Sequence, residues 1–440
     1  MPTYRLTPPE QLRADIQLPP SKSISNRVLI IHALTGGDTL PQNLSDCDDT
    51  EVVIRALQTM PDVIDIKAAG TAMRFMAAYL AATPLPTPHV LTGTERMKHR
   101  PIKVLVNALR SLGADISYEG ENGFPPLNIR GQRLKGGELE VAGNISSQFI
   151  SALLLIGPAL KQGLTLRLTG DIISRPYIDL TLWTMREFGA DAEWTSVDTI
   201  EVKPQPYKPR PYLIENDWSA ASYWYEMVAL TPDTEAKVVL QGLMDGSKQG
   251  DSSVRYIFSL LGVKTKFRSR KPGVPTTVTL CKNGPHVNHL DYDFTNAPDL
   301  AQTIVCCCCA MGVPFHFTGL QTLRIKETDR IMALKTELRK LGFELHDVDG
   351  RELYWDGTRI PPLTSHPSPL TSHLSPLTSC LSPLTSCPII DTYDDHRMAL
   401  AFAPMSLRMP IAIHHPEVVS KSYPHFWHDL QQAGFTIADD

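Results

Sequence analysis

The sequence predicts an α/β fold in two globular halves, each assembled from repeated units, and three features predict it. First, 440 residues exceed what one ordinary hydrophobic core encloses, so two domains of roughly 200 residues are expected. Second, an apolar-periodic helix, a glycine and a short strand-like run recur together. They appear as NALRSLGADISY, TMREFGADAEW, IFSLLGVKTKF, TELRKLGFEL and DLQQAGFTIAD, with the glycine at 113, 189, 262, 342 and 434. Glycine there enters the left-handed turn that closes a helix. Third, the first three gaps of roughly 70 to 80 residues are longer than a solenoid repeat, so each unit holds several elements.

The last gap is longer because PLTS occurs four times at seven-residue steps between Pro362 and Cys387. Seven is the coiled-coil period, but a proline in every repeat removes a helix hydrogen bond each time. The tract, residues 361–388, reads as a disordered low-complexity insert. Nothing in it would hold Cys380, Cys387, His366 and His373 in place as a metal site.

Hydrophobic content of 42% and charged content of 20% describe a soluble globular protein. The most apolar stretches, SALLLIGPAL and AQTIVCCCCAMG, are shorter than the roughly 18 residues of a spanning helix. The N-terminus, MPTYRLTPPEQLRAD, has no apolar signal core, so a cytoplasmic location is expected. Cys306 to Cys309 are contiguous, and on a helix their side chains fan out by about 100° each, so they cannot ligate one ion. They read as small core hydrophobes. A net charge of -5 argues against nucleic-acid binding. Any anion site must come from local clustering.

Such clusters occur at the starts of apolar helices. PPSKSISNRVLIIHAL brackets a serine cap with Lys22 and Arg27, and free N–H groups aided by hydroxyls and cations suit a phosphate. AAGTAMRFMAAYL places Gly70 and Thr71 at a helix start with Arg74 one turn on. TERMKHRPIKVLV adds Arg96, Lys98 and Arg100. GNISSQFISALLL supplies Ser146, Ser147 and Gln148, and ISRPYIDLTLW supplies Ser174 and Arg175. In the second half, NAPDLAQTIV carries Asp299 in a first turn, a placement the helix dipole favours. TYDDHRMALAFAPM gives His396 and Arg397, and EVVSKSYPHFW gives Lys421.

RIKETDRI, residues 324 to 331, precedes the amphipathic run MALKTELRKLG. Read as one helix, it puts Lys326 and Arg330 on a shared face in the first turn, where like charges repel and the dipole disfavours cations. Either Glu327 and Asp329 neutralise them on a solvated surface, or an anionic ligand belongs between them. Guanidinium forks match carboxylate or phosphate oxygens in pairs, while an ammonium is a point charge. There is no phosphate loop, HExxH, GxSxG or post-strand GxGxxG. What remains is a metal-independent site for anionic small molecules.

In order along the chain, PPSKSISNR, AGTAMR, RPIKVLVNALRSLGA, SSQF, SRPYIDLTL, RIKETDR and DDHRMA resemble the 5-enolpyruvylshikimate-3-phosphate synthase family, the 3-phosphoshikimate 1-carboxyvinyltransferases. The resemblance runs from residue 19 to about 425 apart from the PLTS tract. It implies a two-domain inside-out α/β barrel, each domain three βαβαββ units with helices packed inside. The domains would be 20–215, and 1–19 with 216–440, with the active site in the cleft between them. It further implies transfer of the enolpyruvyl group of phosphoenolpyruvate to the 5-hydroxyl of shikimate 3-phosphate, with release of phosphate, by a monomer that needs neither cofactor nor metal.

Carried over by motif, Lys22, Ser23, Arg27, Ser146, Ser147, Gln148 and Ser174 resemble shikimate 3-phosphate contacts, and Lys326 resembles the lysine reaching its ring. Lys22, Gly70, Arg100, Gln148, Arg330, Arg397 and Lys421 resemble the phosphoenolpyruvate contacts. Asp299 resembles the acceptor of the 5-hydroxyl proton and Glu327 the donor to the methylene carbon, with Lys22 beside them in the catalytic set. Proton delivery to carbon and removal from oxygen require two carboxylates in different environments.

Two positions depart from the family pattern. Ala68 replaces an asparagine ahead of Gly70, and Thr322 stands where an asparagine precedes RIKETDR. These put affinity in doubt more than chemistry. Gly70 matches the glycine of glyphosate-sensitive members, so inhibition by glyphosate is expected. The sister reaction on UDP-N-acetylglucosamine relies on a loop cysteine in the first half, and Cys47, in SDCDDTE, has the wrong context for it. A non-catalytic anion-binding paralogue is the other alternative, which intact Asp299, Glu327 and Lys22 oppose.

Overall fold

The computed structural model describes residues 2–37, 40–271, 273–362 and 387–439, so all but the ends of the PLTS tract lies outside the described residues. Gly113, Gly189, Gly262, Gly342 and Gly434 take φ values of 102°, 81°, 80°, 86° and 93°, a region that a side chain disfavours. Each closes a helix and releases the chain into an edge strand: Asp115–Tyr118, Ala192–Trp194, Val263–Phe267, His346–Val348 and Thr436–Asp439. Five glycines therefore mark the five four-stranded sheets found among the described residues.

All five sheets share one topology. In one, Val63–Asp65 and His89–Thr92 pair in parallel, and Leu127–Arg130 lies antiparallel between His89–Thr92 and Asp115–Tyr118. A parallel pair needs a crossover connection, and here it is the Gly70–Ala82 helix. Two sheets recruit strands from the start of the chain. Arg13–Gln17 runs parallel to Lys237–Leu243, and Thr3–Thr7 lies between Ala412–His414 and Thr436–Asp439.

Two separate hydrophobic cores result. One runs from Ile24 to Ile214, and the other combines Leu6 to Leu18 with residues from Trp218 to Phe435. The chain crosses between them twice, side by side, with Pro20 bridged to Asn216 and the Ser21 amide donating to the Glu215 carbonyl at 2.9 Å. Two of the sheets belong to the first core and three to the second. The remaining part of the first half, around the Lys22–Thr35 and Asp48–Thr59 helices, is tied by the isolated bridges Pro20–Asn216 and Gln42–Leu213 instead of by a sheet.

The crossover helices sit inside. In the Trp218–Leu230 helix every residue except Ser219 is buried, and Cys306 to Cys309 are fully buried core residues of the Ala301–Met311 helix. Ser21, Ser146, Asp217 and Asp395 cap the helices that follow them with side-chain oxygens, a contribution of about 1 kcal/mol each. Among the described residues no helix is long and apolar enough to cross a membrane.

RIKETDRI is not one helix. A short 3-10 turn, Gln321–Ile325, ends at Lys326 in extended backbone, and Asp329 caps a new helix, Arg330–Lys340, by accepting from the Met332 amide at 3.1 Å. Asp is a strong N-cap and a poor helix interior residue. Lys326 and Arg330 therefore share no helical face.

Candidate active site in the interdomain cleft

Six buried helices begin at one cavity: Lys22–Thr35, Gly70–Ala82, Ser147–Ile156, Trp218–Leu230, Ala301–Met311 and His396–Phe402. Residues in or just before their first turns line it, from both halves of the chain. Each helix start presents unpaired N–H groups and a partial positive charge. An acidic chain thereby builds a cationic cleft. Its empty space is about 1390 Å³, counting the open mouth.

Every residue carried over by motif except Lys421 lines this cavity, whereas of the other cluster residues Arg96 lines a smaller hollow and Lys98 and Arg175 line neither. Lys421 donates from Nζ to the Asp394 carbonyl at 2.6 Å and lines a smaller adjoining hollow with Ala68, Arg100 and Glu327. Its backbone carbonyl accepts from Lys22 Nζ at 3.3 Å.

On the first-half side Arg27 and Arg74 lack carboxylate partners among the described residues. Arg27 is buried and hydrogen-bonds to Thr181 Oγ1, Ser151 Oγ and the carbonyls of Ser23 and Tyr177. Burial pulls its pKa down to about 10. Arg74 is also buried, and burial with the nearby Arg100 pulls it down to about 9. Such uncompensated charge is costly unless an anion arrives. Ser146 Oγ caps Gln148 N at 3.4 Å, Gln148 Nε2 donates to Thr71 Oγ1 at 3.1 Å, and Ser174 adopts the left-handed region with its amide donating to the Thr295 carbonyl across the cleft. Lys22 pairs with Asp49 at 3.1 Å. Burial opposes its charge, yet Asp49, Cys47 and Glu327 together raise its pKa above the ordinary value.

The second-half side is a network around Arg330. Its guanidinium reaches Asp395 Oδ2 at 2.7 Å, Glu327 Oε2 at 2.8 Å and Asp299 Oδ1 at 3.1 Å. Asp299 also meets Arg397 Nη2 at 3.1 Å and Lys326 Nζ at 3.5 Å, and accepts from the Tyr177 hydroxyl at 3.2 Å. The neutralisation expected for RIKETDRI occurs in part, but within a buried network and not on a solvated surface. Arg330 is neutralised by Glu327, while Asp329 caps its helix and lies 3.6 Å from Arg324.

Burial disfavours ionised Asp299, but Arg397, Lys326, Arg330 and Lys22 outweigh it and hold the carboxyl well below its usual range. Burial likewise disfavours ionised Glu327, and Arg330, Arg100 and Lys326 outweigh it. The protein's own groups therefore hold both carboxyls ionised, and they do not by themselves build the contrast between acid and base environments expected from the sequence.

Several lining residues escaped the sequence reading. Tyr177 lies within SRPYIDLTL and Asp49 within SDCDDTE, but hydroxyl and carboxylate carry no visible function without the partner that the fold supplies. Tyr177 joins Asp299 to the buried Asp251, and burial with the Asp299 charge lifts Asp251 to about 6. His396 is buried, without a hydrogen-bond partner among the described residues, and held neutral by burial and by Lys22 and Arg397. Thr322 is buried against the cavity and its hydroxyl has no partner among the described residues. Cys47 is buried ahead of the Asp48–Thr59 helix and does not line the cavity.

Fold and cleft together define an α/β enzyme that works on multiply anionic small molecules between two halves. The sequence profile of the EPSP synthase family, EPSP synthase (3-phosphoshikimate 1-carboxyvinyltransferase), matches residues 6–62 and 58–430. A 3-phosphoshikimate 1-carboxyvinyltransferase of Bacteroides fragilis is 55% identical over 435 residues, covering 99% of this chain and 98% of its own. One from Haemophilus influenzae is 33% identical, covering 97% and 98%. The solved EPSP synthase of Acinetobacter baumannii superposes with a TM-score of 0.76 at 22% identity over the full length of both chains, and so shares the fold. The chain belongs to the EPSP synthase family and is a transferase of aromatic amino-acid biosynthesis.

Proposed function

We propose that the cleft transfers the enolpyruvyl group of phosphoenolpyruvate to the 5-hydroxyl of shikimate 3-phosphate, with the residue roles that the family motifs imply. The observation that carries this reading is the Arg330 guanidinium binding Asp299 and Glu327 at once. Glu327 delivers a proton to the methylene carbon as the 5-oxygen bonds to the adjacent carbon and Asp299 takes the hydroxyl proton. Loss of a methyl proton and departure of phosphate from that tetrahedral intermediate restore the double bond. Lys22, Arg100, Arg330, Arg397 and Lys421 balance the charge of phosphoenolpyruvate, and Ser23, Arg27, Ser146, Ser147, Ser174 and Lys326 hold shikimate 3-phosphate, with Gln148 between them.

Glu327 cannot act as an acid while ionised. Phosphoenolpyruvate engages Arg330 and Arg100, two of the cations that hold Glu327 ionised, and weakening that hold raises its pKa toward the working range. Arg397 and Lys326 engage the ligands as well, but among the described residues Asp299 makes three direct ion pairs, with Arg330, Arg397 and Lys326, where Glu327 makes one, with Arg330, and so Asp299 remains the base. The ligand itself thus creates the contrast that acid–base catalysis needs.

The chain works as a cytoplasmic monomer of two domains, 20–215 and 1–19 with 216–440, a division supported by the two cores and the paired crossings. Phosphate release from phosphoenolpyruvate is measured with shikimate 3-phosphate and, separately, with UDP-N-acetylglucosamine. Release with the first acceptor alone is expected. Release with the second, or with neither despite tight shikimate 3-phosphate binding, would overturn the reading.

A further inference from the structure

On the outer side of the second half lies a cavity of about 540 Å³, counting its mouth, whose polar side chains are all basic. Lys282, His286 and Arg408 line it with Ala229, Gly262 and Met311. Lys282 ends the Thr276–Lys282 strand on the same parity as buried Val278 and Leu280, so an ammonium sits on the sheet's inward side. Its Nζ donates to the Ala229 carbonyl at 2.7 Å. Burial and the neighbouring Arg408 act against the ammonium's charge, and Asp233, itself paired with Arg13, offsets them only in part. Among the described residues neither Lys282 nor Arg408 has an ion-pair partner.

Helix capping accounts for part of this. Ala229 and Met311 stand at the C-terminal ends of the Trp218–Leu230 and Ala301–Met311 helices, where cations are favourable. Two helix ends of about half a charge each do not offset two full cations. An ammonium has three donors and Lys282 uses one toward Ala229, while the Arg408 guanidinium offers five more. His286 Nδ1 is engaged with the Val287 carbonyl at 2.8 Å, leaving its other ring nitrogen. The cavity is rich in donors and poor in acceptors, which is the complement of a tetrahedral oxyanion.

We propose that this cavity is a second anion site, holding a phosphate group, as free phosphate or as a monoester, between Lys282 and Arg408. Arg408 engages two of its oxygens as a fork and Lys282 a third as a point charge. The site lies apart from the cleft and is independent of the reaction assigned there. Both helices that end at it start at the cleft, one preceded by Asp299 and the other carrying Tyr223.

The test uses full-length protein labelled with 13C at the methionine methyls, with the Met311 resonance assigned by its loss in Met311→Leu. Inorganic phosphate is titrated in one arm and glycerol phosphate in another, against sodium chloride at matched ionic strength. A saturable Met311 shift is expected in the phosphate arm, in the monoester arm, or in both, and the responding arm identifies the source. It should weaken at least about tenfold in Lys282→Gln/Arg408→Gln and persist in Arg27→Ala, which is altered only in the cleft. If loss of the Lys282 cap impairs folding, the exposed Arg408→Gln alone carries the comparison. A Met311 resonance that does not move, moves equally in chloride, or responds unchanged in Arg408→Gln would overturn the site.

Discussion

Gly70 faces Arg100 so closely that a methyl group at Gly70 would lie 2.7 Å from Arg100 Nη1 and 2.9 Å from Nη2. No real carbon tolerates that approach, so the guanidinium would have to move. Gly70→Ala should therefore keep the fold and raise KM for phosphoenolpyruvate on the order of tenfold, with little change in shikimate 3-phosphate affinity. Steady-state kinetics with each substrate varied in turn check this. Equal losses for both substrates would place the Arg100 fork elsewhere in the reaction.

Asp299→Asn and Glu327→Gln each remove a proton-transfer group while keeping shape. Each should lower kcat by roughly 10² to 10⁴. Arg330 keeps its bond to Asp395 in either variant, so unfolding midpoints should move far less than activity. A variant of either kind retaining near-normal single-turnover rates would remove that residue from the proton-transfer pair.

The depressed carboxyls carry a sign that calorimetry reads. Below their folded-state values Asp299 and Glu327 would have to protonate, so their contribution to stability is complete above the unfolded values of roughly 3.9 and 4.3 and is lost as pH falls through the lower folded ones. If phosphoenolpyruvate loosens the hold on Glu327, binding of shikimate 3-phosphate with an unreactive phosphoenolpyruvate analogue takes up protons. Titrations near pH 8, above the ligand phosphate pKa of about 6, in buffers of different ionisation enthalpy should show that uptake. Proton release or no linkage would mean that Glu327 gains its proton by another route.

Glu226 is fully buried between the Trp218–Leu230 helix and the cysteines of the Ala301–Met311 helix, and neither carboxyl oxygen has a partner among the described residues. Burial drives its pKa well above the carboxylate range. A raised folded value means that stability is intact below the unfolded pKa and declines as pH rises toward the folded one. Glu226→Leu should raise stability at neutral pH on the order of 1 to 3 kcal/mol and flatten that decline, as urea titrations across pH would report. A destabilised variant would point to an unseen partner for the carboxyl.

Thr322 offers the opposite case. Its buried hydroxyl bonds to nothing among the described residues, so Thr322→Val should be neutral or mildly stabilising. If the hydroxyl serves shikimate 3-phosphate, affinity for that ligand falls several-fold, and titration calorimetry separates the two effects. Unchanged affinity would leave Thr322 as a packing residue.

The repeat was legible because a left-handed helix stop favours glycine, and Gly113, Gly189, Gly262, Gly342 and Gly434 each mark one sheet, although Met60 closes the Asp48–Thr59 helix in the same region without one. The helix starts were legible for a similar reason, since Ser146 and Asp395 act on amides two residues away. What failed was RIKETDRI, where continuous amphipathic spacing hid the stop at Lys326 and the fresh cap at Asp329. What stayed invisible was long-range pairing. Arg330 meets Asp395 across 65 residues and Tyr177 meets Asp299 across 122, and nothing local in the chain records either contact. The charge state of Glu327 is likewise a sum over neighbours that only the fold brings together.

The strands Thr3–Thr7 and Arg13–Gln17 have a history during synthesis that the finished sheets conceal. Both are made well before the strands they pair with: among the described residues Arg13–Gln17 has no strand neighbour until the chain reaches residue 237, and Thr3–Thr7 none until residue 412. Throughout that interval their edges are open to other nascent chains, the circumstance in which aggregation competes with folding. The first core, drawn from Ile24 to Ile214, can form meanwhile. These two strands wait for partners made more than 200 residues later.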